Sequence, residues 1–240
     1  MGDRQELLER MRLSKFALAG MALFLIAAVV SVRGVRDSRG VRTVAAQSPA
    51  ARALDASAPI PYFIADGTGK AGFRSSDREL ARWALDAWQR SSQQRLRFEP
   101  AAESAALIRL YWADPVDGQY GEMRPLLIGS RRGAAVFIRP DMDALGDDIA
   151  LSARADTLLR DAVVYLTCLH ELGHALGLEH TRDFRDIMYF FGYGGSSAEY
   201  FGRYRAKLYA REDIAGASGL SEGDVTRLRT IYATNPSPLR

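Results

Sequence analysis

The sequence predicts an α+β domain in which a twisted mixed sheet packs on two helices. Segments 62–65, 96–99, 106–112 and 134–138 are short, rich in aromatic and apolar residues and closed by turn formers or prolines, as strands are. Apolar residues recur at helical spacing over 77–91 and again over 157–176, as on helices that bury one face. A strand, a helix, several strands and a second long helix, in that order, make a layered α+β arrangement. The chain has 240 residues, 48% of them hydrophobic and 10% aromatic, enough for one sizeable core.

The charge balance excludes some partners. Net charge is only +3, the lysines are Lys15, Lys70 and Lys207, and the arginines are scattered. No block joins basic and aromatic residues, so nucleic acid is not an expected partner. One cysteine, Cys168, rules out an internal disulfide. Its place within a helical pattern suits a small buried residue.

Residues 1–15 form a charged leader, and residues 16–32 are almost wholly apolar. That length lies between the core of a signal peptide and a short spanning helix. The long leader and the lack of a nearby small-x-small site favour an uncleaved anchor. The domain would then sit on the extracytoplasmic side, or be secreted if the segment is cleaved. Residues 33–58, rich in Arg, Ala, Ser and Gly, read as a flexible stalk. The folded domain is expected over 59–240.

Within it, Tyr62 to Ala65 suits a strand closed by Asp66-Gly67. Ser76-Asp77-Arg78-Glu79 has the form of a capping box before the first helix. Its aromatic pair, Trp83 and Trp88, is expected in the core. Leu96 to Glu99, Ala106 to Trp112 and Ala134 to Ile138 are strands, with a short edge strand near Tyr120 to Leu127 in the glycine-bearing loop between the last two. Asp141 to Asp148 starts like a calcium loop, but position five is Leu145 and position twelve is Ser152. A solvated acidic loop is therefore expected there, and a calcium site is unsupported. Residues 157–176 form the long helix. Residues 196–212 suit a further helix, and Ser221 with Asp224 caps a final one carrying Val225, Leu228, Ile231 and Tyr232.

The end of the long helix holds all three histidines, in His170-Glu171-Leu172-Gly173-His174-Ala175-Leu176-Gly177-Leu178-Glu179-His180. Residues four apart share a helix face, so His170 and His174 can point at one ion. Gly177 can take a positive φ, end the helix and bring His180 back as a third ligand. Three protein nitrogens with a fourth position left for water is the arrangement of a catalytic zinc. Glu171 lies beside that ion, as a base rather than a ligand.

The stretch from Leu169 to His180 resembles the extended zinc motif of the metzincins, and within them the matrixin branch. Ile187-Met188-Tyr189 resembles the Met-turn of that family, in which a methionine packs beneath the ligands, and Leu220 to Tyr232 resembles its C-terminal helix. The resemblance spans about 60–235. It implies a zinc endopeptidase with His170, His174 and His180 on the metal, Glu171 as general base, the edge strand pairing with a peptide or protein substrate, and the segment after Met188 lining a substrate pocket. The chain departs from the pattern in having no histidines left for a second zinc, no cysteine in the stalk to cap the metal, and Phe190 where a proline is usual. The stretch from Tyr189 to Gly219 is long, which suggests a mobile aromatic lid, an exosite or ordinary helix packing. Two rival readings stay open on sequence alone: a non-catalytic zinc-binding module on a membrane stalk, and a zinc hydrolase of a non-protein substrate.

Overall fold

A computed structural model describes residues 53–116 and 119–233. Five strands and six helices follow one another as β1 (Ile60–Ile64), α1 (Asp77–Ser91), β2 (Phe98–Pro100), β3 (Ile108–Trp112), β4 (Gly121–Ile128), β5 (Arg131–Ile138), α2 (Asp147–Ala155), α3 (Thr157–Ala175), α4 (Ser197–Arg205), α5 (Asp213–Gly216) and α6 (Glu222–Ile231). The leader, the apolar segment over 16–32 and most of the stalk lie outside the described residues. No helix among the described residues is long and apolar enough to cross a membrane.

The strands form one mixed sheet in the order β2-β1-β3-β5-β4. All neighbours are parallel except β4, which runs antiparallel to β5. The expected edge strand is thus β4, at the border of the sheet. Pro125 sits within it; a residue without an N–H is tolerated at an edge, where one side of the strand has no ladder to complete.

Helices α1 and α3 pack on the sheet, as the two apolar periodicities predict. Leu80, Leu85 and Trp88 of α1 and Val163 and Leu172 of α3 are buried against Ile60, Ile108, Leu110, Val136 and Ile138 of the sheet. Two polar links join the helices. The Trp88 indole donates to the Leu169 carbonyl at 2.9 Å, so Trp88 lies in the core as expected. Arg160 grips the carboxylate of Asp77 with two nitrogens, both residues being buried.

Two local expectations are corrected. Ser76 has helical angles and makes no capping bond with its side chain. The carboxylate at Asp77 instead accepts the Arg74 N–H at 2.9 Å, while Glu79 is drawn away to Arg82 and Arg211. Tertiary ion pairs have displaced the local box. The acidic stretch Asp141 to Asp148 is not a loop throughout. Asp141 caps a 3-10 turn over Met142–Leu145 by accepting from the Asp143 N–H, and Asp143 pairs with Arg154. Asp147 and Asp148 open α2, where negative charge suits the helix dipole. Ile149, Ala150 and Ala153 bury its inner face.

Candidate metal centre

Helix α3 is built to deliver its last turn. Asp156 caps it, accepting from the N–H groups of Leu158 and Leu159. At the other end Gly177 takes φ 97°. The Leu178 N–H returns to the Gly173 carbonyl and the Gly177 N–H to that of His174, each at 3.0 Å. This pair of bonds closes the helix and reverses the chain, which the glycine permits.

The turn brings His180 back to His170 and His174. One nitrogen from each ring lies within 4.8 Å of the others. Nε2 of His180 is 3.3 Å from Nε2 of His170 and 3.1 Å from Nε2 of His174. The opposite nitrogens fix the tautomers. Nδ1 of His170 is 2.6 Å from the Ile187 carbonyl, and Nδ1 of His174 is 2.9 Å from that of Leu178. A carbonyl only accepts, so each Nδ1 carries the proton and each Nε2 presents a bare lone pair. Two fixed lone pairs aimed at the third ring nitrogen make a cluster that a cation between the three can satisfy. Neutral imidazoles oriented by backbone carbonyls are what a zinc site uses, so the donor set fits that ion. Burial lowers the pKa of all three histidines, that of His170 to about 4, which keeps them unprotonated at neutral pH.

Glu171 is buried on the adjacent face of α3. Burial raises its pKa to about 8, with Arg139 pulling the other way. The first residue of β4 rests directly on it: a Cβ on Gly121 would stand 2.6 Å from Glu171 Cγ and 3.0 Å from Oε1. The acid therefore meets the edge strand at its beginning.

Met188 is fully buried beneath the motif. A Cβ on Gly173 would stand 2.4 Å from its sulfur and 3.1 Å from Trp88, so the glycine within the motif makes room for the methionine. The turn carrying Met188 is tied to the segment after His180, because Thr181 donates to the Met188 carbonyl and accepts from the Phe190 N–H. The Phe190 ring stacks on His180 at 4.9 Å and stays partly exposed.

Beyond Phe190 the long stretch is mostly helix packing, the plainest of the three expectations. Tyr200, Phe201 and Tyr204 are buried. Tyr120, just before β4, packs against Phe191 and Phe201. Helix α4 ends at Arg205, short of the expected 212. Sequence reasoning brought together His170, Glu171, His174, His180 and Met188. It missed Gly121, which carries no local signal, Asp186, whose side chain joins Thr181 to α6, and Tyr200, whose hydroxyl reaches the Asp186 carbonyl from α4.

A comparison with curated proteins found no match. The sequence profile of the matrixins, however, matches residues 57–200. That match takes in more than half the chain, including the sheet, the histidine turn and Met188, and the chain belongs to the matrixins, a family of zinc-dependent peptidases.

Proposed function

We propose that this domain is a zinc endopeptidase in which His170, His174 and His180 hold the metal and Glu171 is the general base. The observation that carries this reading is the convergence of three imidazole nitrogens, two of them fixed as bare Nε2 atoms, beside a buried carboxyl group that touches the edge strand. Zinc held there supplies Lewis-acid chemistry, polarising a carbonyl and lowering the pKa of water to about 7.

The residues of the chain do the rest. The free edge of β4 can take an extended peptide as a further strand. That places the scissile bond across Gly121, within reach of Glu171. Glu171 accepts the proton of the attacking water and returns it to the leaving amine. Its contact with the first residue of β4 keeps the carboxyl group at the strand end where the bond would lie, the position from which it can accept and return that proton. Phe190 and the ring cluster behind it form the wall met by the substrate residue beyond the bond. Residues 16–32 export or anchor the domain, and residues 33–58 tether it; mass spectrometry of the mature N-terminus distinguishes the two fates.

The test is Glu171→Gln in the full chain, assayed on a protein substrate with and without a chelator. The expected result is unchanged zinc content and a rate lower by about 100-fold or more. Proteolysis retained by the variant, or a wild-type chain that takes up no zinc, overturns the reading.

A further inference from the structure

The polar side chains behind the Met-turn form one connected cluster with Asp186 at its centre. The Asp186 side chain is 4% exposed. Its Oδ2 accepts from Thr181 Oγ1 at 2.8 Å and from Arg227 Nη2 at 2.7 Å. Its Oδ1 accepts from the hydroxyl of Ser221, the N-cap of α6. Arg227 Nη2 also donates to Asp224 Oδ1 at 2.9 Å. The other oxygen of Asp224 accepts the Ile187 N–H at 2.8 Å and closes the α6 capping box.

Each end of this cluster lies one step from a histidine. Thr181 is the residue after His180. Ile187, held through its N–H by Asp224, offers its carbonyl to Nδ1 of His170. The Tyr200 hydroxyl donates to the Asp186 carbonyl at 2.8 Å and so steadies the same turn from α4. Asp186, next in sequence to Ile187 and joined to Asp224 through Arg227, therefore ties the start of the segment leaving His180 to the residue whose carbonyl orients His170. The arrangement suits positioning better than bulk stability. An ion pair between a buried carboxylate and a partly exposed arginine is a weak source of net stability compared with apolar packing, whereas charge-assisted hydrogen bonds are short and directional.

We infer that Asp186, held by Arg227, is a positioning residue for the metal centre. It sets His170 and His180 at the separation that a shared ion requires. The inference rests on the reading of the three histidines as ligands. It assigns Asp186 no contact with metal or substrate.

Zinc affinity of the full chain, measured by competition with a chromophoric chelator, and the visible absorption spectrum of the cobalt-loaded chain test it. Four variants are compared with wild type: Asp186→Asn, Arg227→Gln, Arg227→Lys and Ile108→Val, the last a mild defect in the sheet core away from the site. The expected loss of zinc affinity is about 10- to 100-fold for Asp186→Asn and Arg227→Gln, with a changed cobalt spectrum. Arg227→Lys, which keeps a donor and the charge, recovers most of the affinity. Ile108→Val changes neither readout. The partly exposed Arg227 supplies the answer if Asp186→Asn does not fold. Wild-type affinity and an unaltered cobalt spectrum in Asp186→Asn or Arg227→Gln overturn the inference, as does a loss no greater than that of Ile108→Val. A wild-type chain that binds neither metal instead overturns the proposed function.

Discussion

Gly121 and Glu171 lie so close that a methyl group on the glycine would stand 2.6 Å from Cγ of the glutamate. The first residue of the edge strand and the proposed base thus occupy one space, and only the missing side chain lets them share it. Gly121→Ala forces either the strand or the carboxyl group to move. A displacement near 1 Å at a reacting group lowers turnover by about 100-fold. The expected outcome is that loss in kcat with zinc content unchanged, read by steady-state kinetics and metal analysis. A variant with wild-type kcat would show that β4 yields without disturbing Glu171.

Gly173 and Met188 stand in a similar relation beneath the histidines. Gly173→Ala places a methyl group 2.4 Å from the methionine sulfur. Overpacking of a filled core costs about 1–3 kcal/mol. Denaturant unfolding of the metal-free protein measures it. Gly173→Ala combined with Met188→Ala, which removes the obstructing side chain, should cost less than the sum of the two single changes.

Metal removal exposes a pH dependence with two arms. Burial holds His170 at about 4 against an ordinary 6.5 and lowers His174 and His180 as well. The unfolded chain then binds more protons than the native one, so this stability is present above pH 6.5 and is lost as pH falls toward 4. Burial raises Glu171 from 4.5 to about 8. The native state keeps a proton that the unfolded state has released, so stability declines as pH rises from 4.5 through 8. Three histidines outweigh one glutamate on the acid side. Thermal unfolding in chelator should therefore show greatest stability near pH ~6.5, and Glu171→Gln should flatten the alkaline arm. Stability that climbs steadily from pH 6.5 to 8 would contradict the burial assigned to Glu171.

Phe190 stacks on His180 yet remains partly exposed, so its ring is available to a substrate. Loss of one aromatic contact costs about 0.5–1.5 kcal/mol. Phe190→Ala should raise KM for peptides by about threefold to tenfold while kcat stays close to wild type. A fall in kcat alone would place the ring in support of His180 rather than in the substrate wall.

The histidine cluster was legible because its geometry is local. His170 and His174 are one helical turn apart, and Gly177 supplies the positive φ that returns His180. The final helix was legible for the same reason, as Ser221 and Asp224 cap it within four residues. The capping box expected at Ser76 failed because Asp77 and Glu79 found stronger partners in Arg160 and Arg211, far along the chain. Helix α2 was hidden because its acidic start reads as solvated loop, and only the burial of Ile149, Ala150 and Ala153 makes it a helix.

By itself the sequence determined the α+β class, the three nitrogens, the acid beside them and the methionine after them, since periodicity and turn chemistry act over a few residues. The tertiary structure alone decided that Gly121 admits Glu171 to the edge strand, that Tyr120 packs on Phe191 and Phe201, and that Asp186 links the segment after His180 to α6. These contacts join elements distant in the chain, and their geometry exists only once the sheet, α3 and α6 have packed together.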